Sequence, residues 1–371
     1  MSYATAVTGV ERATFAFPDG SVALQDITLL AEPGELLAVI GPSGSGKSSL
    51  LRAIAGLLDL DSGRVLIAGE YTTGSPQDRD VAMVFEQTQL IAFLDVARNM
   101  SLGLDVRHVP SAEAHERVAD RARRLRLTRL LARKPATLSR GEAARVGIGR
   151  ALVRVPKAFL LDEPLAHLDA QERAGTRQQI SAVIRETGVT ALLVTHDPAD
   201  ALSIGDRAAV LDHGSVVQVA PPRELYDAPA NVFVADFVST VPIGLVPATL
   251  VVSGAMAGYQ VGTRTLPTWL PAPDAVAGYR DRQVLLGLRA EDVYEDPRPE
   301  HGILTGVVAT VEYVGPHAIV GMLVGEHRIH ARFDRHTSVR PGSAVTVGID
   351  AARAHVFDPI SRRALANPPR G

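Results

Sequence analysis

The chain contains no cysteine. Disulfide frameworks, thiolate nucleophiles and Cys-based zinc sites are therefore excluded, and the composition suits a reducing cytosol. An excess of either charge is also lacking. Lys and Arg number 38 against 41 Asp and Glu, giving a formal net charge of -3 and a pI near 6.4. That balance exerts no global pull toward nucleic acid or anionic lipid, and no nucleic-acid partner is expected. The N-terminal MSYATAVTGVERATF has neither the basic start nor the apolar run of a signal peptide. One uncharged stretch, Phe237 to Thr263, is long enough to span a bilayer, but Pro242, Gly244, Pro247, Gly258 and Gly262 interrupt it. A lipid-exposed helix would have to satisfy its backbone through all those breaks, so short strands with turns are predicted instead.

What is present is an ordinary globular composition, 46% hydrophobic and 21% charged, over 371 residues. That length exceeds one typical core and points to two domains. Up to about residue 237 short apolar runs alternate with helical patterns. Leu36–Ile40, Ala158–Leu161 and Ala191–Val194 read as buried parallel strands, with functional groups at their carboxyl ends. Ser48–Leu58 and Ala170–Thr187 read as helices, so residues 1–237 form an α/β domain. Ser111–Lys134 is an arginine-rich helical region; Glu113, Glu116 and Asp120 offset it, and a solvated face is the expected reading over a nucleic-acid or lipid patch. From 238 to 371 alternating runs separated by Gly, Pro and Asp predict a small antiparallel β domain of barrel type. Six histidines fall between His301 and His355. His327 and His330 would face opposite sides of a strand, and with no cysteine or carboxylate cluster nearby they read as surface residues rather than metal ligands.

Chemistry concentrates in one segment. Gly41-Pro42-Ser43-Gly44-Ser45-Gly46-Lys47-Ser48 fits G-x-x-x-x-G-K-[ST], between a predicted strand and a predicted helix, with Ser49 following. Glycines let backbone N–H groups turn inward around phosphate oxygens, and the helix N-terminus adds its positive dipole end. In such a loop Lys47 reaches the β- and γ-phosphates and the Ser48 hydroxyl ligates Mg²⁺, so ATP with Mg²⁺ is the expected ligand. Asp162 and Glu163, at the end of a second apolar run, add a carboxylate for the Mg²⁺ shell and another placed to polarise an attacking water.

In these elements taken together the chain resembles the ATPase subunit of ABC transporters over essentially its whole length. Leu138-Ser139-Arg140-Gly141-Glu142 stands where that family has its LSGGQ signature. Ala166-His167-Leu168-Asp169 resembles its D-loop, and Thr195-His196-Asp197 its switch histidine. Phe17 matches the aromatic that stacks on adenine, and Met83-Val-Phe-Glu86-Gln87 the entry to the Q-loop. Asp78–Phe85 and Glu224–Phe237 are similar to the importer branch that serves sugars and glycerol-phosphate-like solutes. The resemblance implies a P-loop NTPase cassette with a RecA-like core and helical subdomain, followed by an OB-like, TOBE-type regulatory domain. It further implies an ATP sandwich between two chains. Ser139, Arg140, Gly141 and Glu142 would act in trans on a partner's nucleotide, Glu163 would activate water, and His196 and Lys47 would serve the γ-phosphate. The implied partners are a second ATPase chain, two membrane-spanning permease subunits and, indirectly, an extracytoplasmic solute-binding protein. The implied location is the cytoplasmic face of the membrane.

Three positions depart from the family pattern. Glu86 replaces the Mg²⁺-sensing glutamine unless a one-residue shift brings in Gln87; Arg140 replaces a glycine, and Glu142 a glutamine. Added negative charge beside the phosphates predicts slow hydrolysis or a stronger dependence on Mg²⁺. A weakened signature also leaves open a heterodimer in place of the expected homodimer. Competing classes are a soluble ABC ATPase, a P-loop kinase, and an importer subunit for a polyamine or an inorganic ion. Against the first, the chain has neither two cassettes nor a long coiled coil. A kinase would need no signature segment.

Overall fold

The structure is a computed structural model that describes residues 7–86, 89–166, 168–253, 256–266, 276, 278–298 and 300–368. Internal contacts divide the chain into two compact units, 1–222 and 223–371.

The first unit opens with β1 (Thr8–Ala16), β2 (Val22–Ala31) and β3 (Leu36–Ile40), and the loop after β3 leads into α1 (Lys47–Ala55). Next come β4 (Ser62–Ile67), β5 (Glu70–Thr72) and β6 (Val81–Val84), then α2 (Val96–Asp105), α3 (Ser111–Arg124) and α4 (Arg140–Leu152). β7 (Ala158–Asp162), α5 (Ala170–Thr187), β8 (Thr190–Thr195), α6 (Pro198–Ile204), β9 (Arg207–Asp212) and β10 (Ser215–Ala220) complete it. An antiparallel sheet in the order β2-β1-β4-β5 stands beside a six-stranded sheet in the order β10-β9-β3-β8-β7-β6. Only β10 runs antiparallel in the larger sheet. Every residue of β3, β7 and β8 is buried, as expected of strands covered on both faces. Each fully buried Leu, Ile or Val there contributes about 1.5–3 kcal/mol.

The arginine-rich region is helical only as far as Arg124; two short 3₁₀ turns, Thr128–Leu130 and Pro135–Thr137, carry the chain to α4. On α3, Arg121, Arg123 and Arg124 all pair with Asp120, Arg117 with Glu113, and Arg124 also with Glu186. Its buried face is Ala114, Val118 and Ala122.

Arg79 fixes the far end of α1. Its guanidinium is buried and donates to Ala53 O (2.6 Å), Ile54 O (2.9 Å) and Gly74 O (2.8 Å). A cation there also meets the negative end of the helix dipole. Gly56 leaves the room for it, since a Cβ at that position would lie 2.6 Å from Arg79 Nε. Burial lowers the guanidinium pKa, with Asp59 opposing. Arg79 thereby ties the helix behind the Gly-rich loop to the segment leading into β6.

In the second unit α7 (Pro222–Asp227) and α8 (Val232–Phe237) precede β11 (Gly244–Ser253), β12 (Met256–Val261), β13 (Arg264–Leu266), β14 (Gln283–Leu288) and β15 (Val293–Tyr294). β16 (Gly302–Val314), β17 (His317–Val324), β18 (His327–Asp334), β19 (Ala344–Ile349), β20 (His355–Phe357) and β21 (Ala364–Ala366) follow. Two antiparallel sheets, β13-β12-β11-β14-β20-β21 and β15-β19-β16-β17-β18, enclose a barrel-like core around Leu250, Leu286, Val320, Ile329, Phe333 and Val347. Beyond Phe237, which ends α8, the described residues of the stretch 237–263 are strands, turns and short connections, and no helix among the described residues is long and apolar enough to cross a membrane. The units divide earlier than the 237/238 boundary expected from sequence. Ala235 packs with Ile243 and Phe357, and Asn231 bridges to Arg363, so α8 sits with the β strands.

Replacing Arg79 with Met leaves the last carbonyls of α1 without their donor. The expected loss is about 2 kcal/mol, a drop of several degrees in the first thermal transition. ATP affinity should weaken with it. Calorimetry and nucleotide titration check both, and an unchanged first transition would refute the capping role.

Candidate nucleotide site

Strand order builds the site. β3, β8 and β7 are neighbours, and their registers pair Ile40 with Thr195 and Val194 with Asp162. Three loops therefore leave one sheet edge side by side: Gly41–Gly46, His196–Asp197 and Glu163–Pro164. This is the carboxyl edge, where ligands bind in open α/β sheets.

Within the first loop, glycine is required where the backbone turns. A Cβ on Gly41 would stand 2.2 Å from Leu211 O, and one on Gly46, at φ 100°, would stand 2.1 Å from Ala23 O. Ser43 and Gly44 are exposed at the loop tip, whereas Ser45, Lys47 and Ser49 are buried. Lys47 Nζ donates to Gly41 O and Pro42 O, each at 2.9 Å, closing the loop on itself. Burial lowers the Lys47 pKa, while Glu163 and Asp162 push it back up. The hydroxyl of Ser45 is buried without a hydrogen-bond partner. An orphaned polar atom in a glycine cradle, at a helix start whose first N–H groups have no partner within the helix, fits a phosphate.

Beside the loop, Ser48 Oγ donates to Asp162 Oδ1 at 3.0 Å. The two line a cleft of about 610 Å³ with Glu86, Gln89, Arg52 and Arg150. Burial raises the Asp162 pKa; Ser48, Arg52 and Lys47 pull it down, and the charge of Glu86 adds to the rise. No group of three or more His, Asp or Glu side chains able to hold a metal occurs among the described residues. One or two protein oxygens completed by phosphates and waters is, however, the ordinary Mg²⁺ arrangement, and Ser48 with Asp162 fits it. Gln87 lies outside the described residues.

Glu163 follows β7 with φ 48°, a left-handed conformation that a non-glycine residue adopts only at a cost. Its backbone N–H donates to Val194 O (3.0 Å), and its carboxylate accepts from His196 Nδ1 at 2.8 Å. That bond leaves His196 Nε2 directed elsewhere. The Glu163 side chain is 12% exposed and that of His196 55%, so the pair borders solvent. Asp169 caps α5 by accepting from Glu172 N (2.8 Å), and Asp197 caps α6 and pairs with Arg173. Phe17 is 42% exposed and packs edge-on against Phe15, ring centroids 5.0 Å apart.

The Ser139–Glu142 segment forms a capping box. Ser139 Oγ accepts from Glu142 N (3.1 Å), and Glu142 Oε2 accepts from Ser139 N (2.8 Å). The carboxylate expected to act on a partner's nucleotide is thus engaged within its own helix start. Arg140, the first residue of α4, is exposed; Gly141 is buried, and a Cβ there would meet the Glu172 carboxylate at 2.3 Å. Arg52 and Arg150 escape the sequence reading. Arg52 could have been found four residues after Ser48 on one helix face. Arg150, whose Nη1 donates to Gln89 O at 2.9 Å, comes from a distant helix and left no local signal.

Residues 24–166 match the ABC transporter family and residues 286–357 the TOBE domain. The trehalose/maltose import ATP-binding protein of Thermococcus litoralis is 37% identical over 92% of this chain and 95% of its own length. The chain belongs to the ABC transporter ATP-binding family. It is a transport ATPase that hydrolyses ATP, built as an ABC cassette with a TOBE domain. The sn-glycerol-3-phosphate import ATP-binding protein of Cereibacter sphaeroides is 40% identical over 90% of this chain and 92% of that protein. The diacetylchitobiose uptake system ATP-binding protein of Streptomyces coelicolor is 41% identical over 77% and 75%. Among solved structures, the cbiO1 chain of the Clostridium perfringens cbiONQ ABC transporter complex superposes with a TM-score of 0.55 at 28% identity, covering 60% of this chain and 90% of that one. A cassette solved as a dimer bound to ADP and Pi gives 0.53 at 30% identity, covering 58% and 99%.

A carboxyl whose pKa is raised by folding is one whose ionised form destabilises the folded state. That penalty is absent at low pH and grows as pH rises through the shifted value. Asp162→Asn should therefore raise the thermal midpoint of the nucleotide-free cassette at pH 8, with the gain closing toward pH 4, while ATP hydrolysis is lost. Unfolding scans at both pH values and a phosphate-release assay check this; a variant less stable than wild type at pH 8 contradicts it.

Proposed function

We propose that this cassette powers import of a carbohydrate through a membrane permease, using Mg²⁺ with ATP at the site of Lys47, Ser48, Asp162, Glu163 and His196. The observation that carries the reading is the pair of contacts at adjacent strand ends, Ser48–Asp162 and Glu163–His196, beside a closed P-loop. Mg²⁺, when bound, neutralises phosphate charge and orients the γ-phosphoryl group. Glu163, held in a strained backbone and backed by His196, is the group placed to take the proton of an attacking water. Lys47 leaves its two carbonyl acceptors for phosphate oxygens, and Ser45 supplies a hydroxyl donor.

The carbohydrate reading is supported by relatives named for trehalose, maltose and diacetylchitobiose, with sn-glycerol 3-phosphate beside them. A second copy of this chain, acting through Ser139, Arg140, Gly141 and Glu142, two permease subunits on the cytoplasmic face, and an extracytoplasmic binding protein complete the proposed system. The dimeric form of a similar cassette supports the second copy. Vesicles carrying the assembled complex, supplied with its binding protein, should hydrolyse ATP faster with a sugar than with a polyamine or an inorganic ion. Stimulation by one of the latter instead would replace the solute class.

Glu86 lines the Ser48–Asp162 cleft and presses on the Asp162 carboxyl. Glu86→Gln is expected to raise turnover about tenfold and to lower the Mg²⁺ concentration for half-maximal rate, the scale of one unit charge beside a phosphate. Turnover and Mg²⁺ dependence equal to wild type would remove Glu86 from the catalytic account.

A further inference from the structure

The second unit contains a cavity of about 510 Å³ that the ATPase chemistry does not use. One wall is the outer face of β16, β17 and β18. Strand register sets Thr310, Gly321 and His330 in one row and Glu312, Ile319 and Arg332 in the next. Gly321 keeps the floor open, because a Cβ there would lie 2.4 Å from Thr310 Oγ1 and 3.6 Å from His330 Cδ2. His330 Nδ1 donates to Pro242 O at 3.1 Å, and burial lowers the imidazole pKa. The neutral ring therefore keeps Nε2 as an acceptor.

The facing wall is built on Arg289. The buried guanidinium lies 3.6 Å above the Tyr226 ring and donates to Ser239 Oγ (2.5 Å), to Tyr226 O (2.5 Å) and, through Nε, to His355 Nε2 (3.2 Å). These bonds use three of its five N–H groups. His355, whose pKa burial pushes down to about 4, stays neutral and can accept; its Nδ1 meets Asn367 Oδ1. Glu291 Oε1 accepts a hydrogen bond from the Tyr226 hydroxyl.

The lining combines charged, hydroxyl and aliphatic side chains. Two arginines, Arg289 and Arg332, and two glutamates, Glu291 and Glu312, line the cavity, so neither charge sign dominates. An isolated anion would meet Glu312, and an isolated cation Arg332. Thr310 offers a hydroxyl, whereas Ser239 spends its own on Ala235 O and Arg289; Val241, Pro242 and Ile319 supply apolar contact. The volume lies within the usual range of small-molecule sites, roughly 300–1,000 Å³. A partner matching this surface carries many hydroxyls, each donor and acceptor at once, with C–H faces between them. We propose that this cavity of the TOBE-domain unit is a binding site for a neutral polyhydroxylated molecule of mono- or disaccharide size. The inference rests on the lining alone and holds whichever solute is transported.

Titration calorimetry of the full chain against glucose, galactose, xylose, maltose, trehalose and cellobiose, with inorganic phosphate and glycerol 3-phosphate as anionic probes, tests it. At least one neutral sugar should bind wild type. Its affinity should fall about tenfold in Thr310→Val, which removes a hydroxyl, and in Glu312→Gln, which turns a charged acceptor into a neutral amide, both at solvent-facing strand positions. ATP hydrolysis without sugar should stay within about twofold of wild type in both variants. Absence of binding by every neutral sugar overturns the proposal. So does sugar binding undiminished in both variants, or a preference for the anionic probes.

Discussion

One hydrogen bond organises the catalytic half of this molecule, from Ser48 Oγ to Asp162 Oδ1. It joins the first turn of the P-loop helix to the last residue of a strand far away in sequence. Nothing local brings them together. The bond exists because β8 lies between β3 and β7, and each strand is too thoroughly buried to slip in register. A parallel sheet with both faces covered is rigid enough to hold an ionised carboxylate where burial opposes its charge. That opposition makes the position ready for a cation.

Much of this was legible beforehand, and the reason is physical. The Gly-rich loop is a contiguous phosphate cradle, so spacing alone reveals it. The strands before Gly41 and Asp162 are short, wholly apolar runs, and Ala170–Thr187 falls as predicted because Asp169 caps it and Gly188 ends it. Arg79 and Arg150 were not legible, because each acts on a segment remote in sequence. The Ser139–Glu142 box illustrates a different failure. Its S-x-x-E spacing announces a helix cap, but resemblance to a signature directs attention to contacts in trans. The compact units part at 222/223, ahead of the expected 237/238, for a third reason. α8 is helical like the segment before it, yet it buries Ala235 against Phe357 of a later strand.

Both units solve the problem of a buried cation in the same manner. Arg79 and Arg289 each spend their donors chiefly on backbone or neutral acceptors rather than on a carboxylate. A guanidinium held this way keeps its charge as a fixed local field, which a tight ion pair would cancel. In the first unit that field meets the end of a helix. In the second it reaches an open cavity.

The Ser139 hydroxyl has a directional property that its cap creates. Its oxygen lone pair is occupied by the Glu142 N–H, whereas its own proton takes no part in that bond. The hydroxyl can therefore terminate a helix with one side of the atom and offer a hydrogen to an approaching oxyanion with the other. Capping and any hydrogen bond that this hydroxyl donates then draw on opposite ends of one dipole, so the cap need not be dismantled for the hydroxyl to donate.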